Sequence, residues 1–248
     1  MRRLAVLFAS TLATIGMVAC SSGSDESEPA AEADICAAAS EQAANPDAVR
    51  VVVVVDRTES ARTDVAVPSS LTDILTAAQD KGVEAKTGAL LQTLGVSGES
   101  VFPTISPPHN LDLRPGDTST NADNLRAKLL ADCLTTFIDS EVTEPKGEGT
   151  DLIGALLAAQ QQKPEQILVI SSGMNSTPLA NLTAPPTDPT SAASSVKAEA
   201  PDFGTWSLPV TWFNLGEPEP PLSAADRDRV IAFWKALLGD HLNIDTRE

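Results

Sequence analysis

Val51-Val52-Val53-Val54-Val55, followed at once by Asp56-Arg57-Thr58-Glu59-Ser60, decides the fold. Five consecutive valines show no polar alternation. A run of this kind bounded by charge suits a strand buried on both faces, at the centre of a parallel sheet covered by helices. The strand ends in Asp-x-Thr-x-Ser, which delivers one carboxylate and two hydroxyls to the carboxyl edge, where open α/β sheets bind ligands. Alternate spacing lets the oxygens of Asp56, Thr58 and Ser60 converge in a tight loop, expected at the surface. A hard divalent cation such as Mg²⁺ takes oxygen donors of this type. An ordinary strand-to-helix loop with polar caps would use the same residues.

Outward from this strand, helical and extended patterns alternate. Apolar Leu71, Ile74, Leu75 and Ala78 repeat with a helical period, and Gly82 is expected to stop that helix. Thr87 to Leu94 reads as a strand. Val101 to Ile105 reads as a short edge strand interrupted by Pro103 and ended by Pro107-Pro108. Asn121 to Ile138 reads as a helix with Leu125, Leu129, Cys133 and Phe137 along one face, and Thr150 to Gln162 as another. Ile167 to Ser171 is a second central strand. Pro178 to Pro201 reads as a loop holding a short helix from Ala192 to Glu199, and Pro209 to Leu215 as a further strand. Ser223 to Leu238 is a helix, with Ser223 and Asp226 near a capping box and Gly239 at its end. The expected fold class is α/β: a three-layer α/β/α sandwich, doubly wound, around a mostly parallel sheet.

The amino terminus has the layout of an export signal. Met1-Arg2-Arg3 is basic, Leu4 to Val18 is apolar, and Ala19-Cys20 closes it, too short and wrongly flanked for a stable membrane span. Met17-Val18-Ala19-Cys20 resembles a bacterial lipobox, which implies cleavage before Cys20 and lipidation of that cysteine. Cleavage by the general peptidase would instead release a secreted protein. The following Ser21 to Pro29 is polar and acidic, as in a disordered tether. The organisation expected is a signal at 1–19, a tether at 20–35 and one α/β domain at 36–248, anchored outside the cytoplasm by its lipid.

Removal of Arg2 and Arg3 with the signal leaves 15 basic against 34 acidic residues, a formal charge of −19. A chain so negative repels phosphate backbones, which excludes nucleic acid as a partner class. Only two histidines are present, His109 and His241, neither near a nucleophile in sequence. No Gly-x-Ser-x-Gly, P-loop or Cys-x-x-Cys motif occurs, so binding rather than catalysis is expected, with an envelope enzyme such as a metal-assisted hydrolase as the open alternative. Without Cys20 two cysteines remain, Cys36 and Cys133. In an exported domain they are a disulfide candidate, the alternative being two buried thiols.

Two further stretches complete a pattern. Gly147-Glu148-Gly149-Thr150-Asp151-Leu152 places a threonine hydroxyl at a glycine-freed turn opening a helix. Ile167-Leu168-Val169-Ile170-Ser171-Ser172-Gly173 ends a central strand in small polar residues. With Asp56-x-Thr58-x-Ser60 before them, these resemble, in order and spacing, the von Willebrand factor A domain over about Val49 to Gly239. The resemblance implies a metal-ion-dependent adhesion site made by Asp56, Thr58, Ser60, Thr150 and Ser172, holding Mg²⁺. It also implies a protein partner whose acidic side chain completes the coordination. The family has an aspartate where this chain has Ser172, which removes one negative charge from the shell. Asp151 is a reserve carboxylate, and the direction of Glu59 is open. Thr150 as a helix cap and Ser172 as a turn residue would need no ion. The reading is an envelope lipoprotein that binds a protein partner and reaches the membrane only through its lipid. A solute-binding lipoprotein, or a metal-free structural module of an envelope assembly, is the alternative.

Overall fold

The computed structural model describes residues 34–58, 68–96, 104–139 and 149–245. The signal, Cys20, nearly all of the tether, Glu59, Ser60 and Val101 to Pro103 lie outside the described residues.

Helix α1 (Ile35–Glu41) comes first, its amino end capped by the Asp34 carboxylate. The valine run then forms the heart of β1 (Val49–Asp56), in which Val51 to Val55 are all at most 2% exposed. Each buried valine contributes roughly 1.5–3 kcal/mol relative to exposure. Next come α2 (Ser69–Ala85), β2 (Ala89–Val96), β3 (Thr104–Ile105), β4 (His109–Asn110), α3 (Thr120–Asp139), α4 (Leu152–Gln161) and β5 (Gln166–Ile170). A small hairpin of β6 (Ser176–Thr177) and β7 (Ala180–Asn181) precedes α5 (Pro189–Glu199), β8 (Val210–Phe213), α6 (Ala224–Leu238) and β9 (Leu242–Asp245).

The main sheet runs β3-β2-β1-β5-β8-β9, with β4 also on β2. β2, β1, β5, β8 and β9 are mutually parallel, and β3 and β4 pair antiparallel to β2. Alternation along the strands divides the core into two layers. Val52, Val54, Ile167, Val169 and Trp212 pack with α4, α5 and α6. Val51, Val53, Val55, Leu168 and Ile170 pack with α1, α2 and α3. The fold is therefore a three-layer α/β/α sandwich.

Two local expectations are corrected. Gly82 does not end α2; the helix continues to Ala85 and terminates at Lys86 in the left-handed conformation. Gly82 instead lets the chain fold back, since its carbonyl accepts from the N–H groups of Thr87 and Gly88, and an added Cβ would overlap the Gly88 carbonyl. The edge strand stops at Ile105, before Pro107-Pro108, and a separate two-residue strand, β4, follows the prolines on the same neighbour. The Pro178 to Pro201 stretch holds a full helix from Pro189, with Asp188 as its cap. Gly82→Ala is expected to destabilise the domain by about 1–3 kcal/mol, because backbone overlap exceeds the roughly 1 kcal/mol gained in helix propensity. Denaturant unfolding checks this, and a stabilised variant would refute the close-approach argument.

Cys36 and Cys133 are bridged, with a Cα–Cα distance of 5.3 Å, well inside the roughly 7 Å limit for such a bond. The bridge ties α1 to α3. His109 Nδ1 lies 3.0 Å from Ser40 Oγ and its ring stacks on Phe137 at 4.3 Å, while Asn110 Nδ2 donates to the carbonyls of Ala39 and Gln42. Helix α1 is thus an integral part of the domain.

Candidate functional site

The chain leaves β1 for β2 on one side and later returns to β5 on the other. A doubly wound sheet opens its ligand crevice at such a reversal, outside the carboxyl ends of the strands. Asp56 ends β1. The pairing of Val55 with Ile170 brings Ser171, the residue after β5, alongside it.

The Asp56 carboxylate is enclosed by donors. Its Oδ1 accepts from Thr58 N–H at 3.0 Å and from the Thr58 hydroxyl at 2.7 Å. Its Oδ2 accepts from the Ser171 hydroxyl at 2.7 Å. Thr58 Oγ1 is 2.8 Å from Thr150 Oγ1. A hydroxyl has one proton, and that of Thr58 is directed at Asp56, so Thr150 is the donor in this pair. The result is a relay, Thr150 to Thr58 to Asp56, met from the other side by Ser171. The expected surface loop is in fact buried at this point: Asp56 is 1%, Thr58 4% and Thr150 1% exposed.

Burial holds the Asp56 carboxyl above its ordinary value of 3.8, outweighing the opposing hydrogen bonds from Ser171 and Thr58. The sign of the linkage follows. A carboxyl raised in the folded state adds stability that is full below its unfolded value and lost as pH rises through the folded one. In metal-free protein, Asp56→Asn should therefore gain in unfolding midpoint relative to wild type as pH rises from about 4 to 7, because the Asn amide keeps one acceptor and can donate to Ser171. A pH series of melting curves in chelator tests this. A difference that does not change with pH would remove the ionisation argument.

Thr150 reaches the cluster because its loop is fastened twice. Its N–H donates to Ser176 Oγ at 2.7 Å, and its carbonyl accepts from Ser176 N–H at 2.9 Å. The cap of α4 is Asp151, not Thr150: Asp151 Oδ1 accepts from Gly154 N–H at 2.8 Å, which commits the expected reserve carboxylate to the helix. Asn175 Oδ1 accepts from Leu152 and Ile153 N–H at 2.8 and 3.3 Å and completes the capping.

The end of β5 is clamped by two indoles. Trp212 Nε1 donates to the Ser171 carbonyl and Trp234 Nε1 to that of Gly173, at 2.8 and 2.9 Å. Gly216 N–H donates to the Ser172 carbonyl at 2.8 Å. Gly173 has φ +80, and an added Cβ would overlap Leu215, so the turn requires glycine. Ser172 is 2% exposed, and its Oγ makes no hydrogen bond.

Of the residues expected from sequence, Asp56, Thr58 and Thr150 meet directly. Ser172 lies at the end of β5 without a bond to them, and Ser60 is outside the described residues. Ser171, Asn175 and Ser176 were not foreseen. The signal for all three was a run of small polar residues after a central strand, in which nothing marks the one that turns toward Asp56.

The carboxylate and hydroxyl oxygens are donors of the kind a hard cation takes, and the 2.8 Å between the two threonine oxygens is the hydrogen bond that joins them. The bondless buried Ser172 hydroxyl is a further oxygen still open to a partner. Charge is scarce: among the described residues no three His, Cys, Asp or Glu side chains gather into a metal-binding group. Hydroxyls would supply most of the shell. The sequence matches no protein-family model and no curated protein.

Proposed function

We propose that this chain is an envelope lipoprotein whose von Willebrand factor A-like domain binds a protein partner at the carboxyl edge of its sheet, through a charge-poor Mg²⁺ site. The observation behind this reading is the meeting of Asp56 and Thr58 with Thr150, 92 residues after Thr58, at the reversal point of the strand order. Thr58 and Thr150 would hold the ion through their hydroxyls, and Asp56 supplies the negative charge. When bound, Mg²⁺ supplies a positive centre for a carboxylate of the partner. The chain's own residues do the rest: Ser171 orients the carboxylate of Asp56, and the buried walls keep bulk water from competing with the hydroxyls. Binding rather than catalysis is the proposed role. His109 is committed to Phe137 and Ser40 beneath α1, and among the described residues the side chain that Ser171 bonds is Asp56.

Calorimetric titration of the full-length protein with Mg²⁺ or Mn²⁺ tests the site. The expected result is weak, saturable binding that Asp56→Asn abolishes. Absence of any response favours the second reading, a metal-free structural module. That reading draws on the closed hydroxyl relay, in which the Asp56 carboxylate already has donors on both oxygens.

The anchor has its own test. Cys20→Ala should move the protein from the membrane fraction to the soluble exported fraction. Wild-type protein that is already soluble, with an amino terminus other than Cys20, would refute lipidation.

A further inference from the structure

We infer that Asn175 and Ser176, on the segment between β5 and β6, are positioning residues of the oxygen cluster: they hold the Thr150 hydroxyl against Thr58. The inference deepens the proposed cation site and rests on it for its metal-dependent arm. Neither residue has a hydrogen bond to Asp56 or Thr58 among those described; both act through Thr150 and the start of α4.

The bonding is complete around Asn175, which is 0% exposed. Its Oδ1 takes the first free N–H groups of α4. Its Nδ2 donates to Thr177 Oγ1 at 2.9 Å and to the Ala180 carbonyl at 2.6 Å, and its own carbonyl accepts from Leu182 N–H at 2.6 Å. The β6-β7 hairpin is therefore bolted to the amino end of α4. Ser176, next in the chain, brackets Thr150 with one bond to its N–H and one to its carbonyl. Thr150 is left with little freedom in φ and ψ, so the direction of its side chain is set from outside its own loop.

The arrangement has a second consequence. Asn175 follows Ser171, Ser172 and Gly173 after a single intervening residue, and Trp212 and Trp234 fix the carbonyls of Ser171 and Gly173. One segment of chain thus holds both the serine that bonds Asp56 and the residues that aim Thr150. A purely structural hairpin would need only the Asn175 bonds within the hairpin and to α4. The paired bonds of Ser176 to Thr150 are what aim that residue toward the cluster.

The test uses full-length protein in detergent with isotope-labelled threonine methyl groups. Ser176→Ala removes the acceptor for Thr150 N–H, and Ser176→Thr restores it; the mild change at a partly exposed site keeps the fold, which the remaining methyl spectrum verifies. The expected result is that Ser176→Ala moves the Thr58 methyl resonance as well as that of Thr150, and that Ser176→Thr returns both. Mn²⁺ affinity, read by calorimetry, should fall roughly tenfold in Ser176→Ala, the scale on which outer-shell partners act, and recover in Ser176→Thr. A Thr150 resonance that moves while Thr58 stays fixed would overturn the positioning role. A wild type without Mn²⁺ response would overturn the cation site while the Thr58 resonance still decides the positioning.

Discussion

Replacing Cys36 and Cys133 together by Ala lowers the unfolding midpoint of the domain by on the order of 10 °C. The two residues lie 97 apart, and opening a loop of that length restores chain entropy worth about 4–5 kcal/mol in the unfolded state by the loop-closure argument, with measured losses of about 2–5 kcal/mol. For a domain of this size each kcal/mol moves the midpoint by roughly 2–4 °C. Alanine avoids placing a hydroxyl at position 133, which is 0% exposed. The loss is bounded because α1 keeps its bonds from Asn110 and the contact of Ser40 with His109, so the double variant folds. Melting curves of the variant and of reduced wild type should coincide within a few degrees. A variant as stable as oxidised wild type would show that the bridge only decorates a segment already fixed by packing.

Ser172→Asp converts stability into a function of divalent metal. Position 172 is 2% exposed and its hydroxyl has no hydrogen-bond partner, so a carboxylate there is buried at the end of β5, one residue past the serine that bonds Asp56. In chelator the variant should lose roughly 1–3 kcal/mol, since a buried charge lacks a compensating partner. Saturating Mg²⁺ or Mn²⁺ should return most of that loss, and affinity should rise at least about tenfold over wild type, because the added carboxylate supplies the charge that the hydroxyl shell lacks. Melting midpoint against metal concentration measures both effects. A variant whose loss metal does not repair would end the assignment of Ser172 to the site.

The central strands were legible because each is decided by one strong preference. Val51 to Val55 and Ile167 to Ile170 are apolar without interruption, and only a strand covered on both faces satisfies that pattern. Helix α6 was legible from Ser223, Asp226 and Gly239 at its ends. The short elements were not. Helix α1 has seven residues, too few for a periodic signal, and is held by a disulfide and side-chain bonds from elsewhere. Strands β6 and β7 have two residues each, and what creates them is the bonding of Asn175, a tertiary fact. Gly82 was misread because a glycine in a helix looks like a stop, whereas here it marks a close approach of backbone. At the site, Asp56 and Thr58 followed from the end of a central strand, and Thr150, which precedes α4, followed from the family resemblance. Ser171 did not, because two adjacent serines differ only in which way the strand turns them, and that is set by the register with β1.

The two indoles at the end of β5 also make the site observable. The chain contains three tryptophans and no tyrosine, so its near-ultraviolet emission comes from tryptophan alone. Trp212 and Trp234 are 0% exposed, lie 4.6 Å apart and donate to the carbonyls of the segment that carries Ser171. Trp206 donates instead to the Leu208 carbonyl, away from that segment. Two of the three emitters are thus wired to the strand end and one is a built-in reference. A change at the proposed site would therefore be an optical quantity, readable from the protein's own fluorescence without a label.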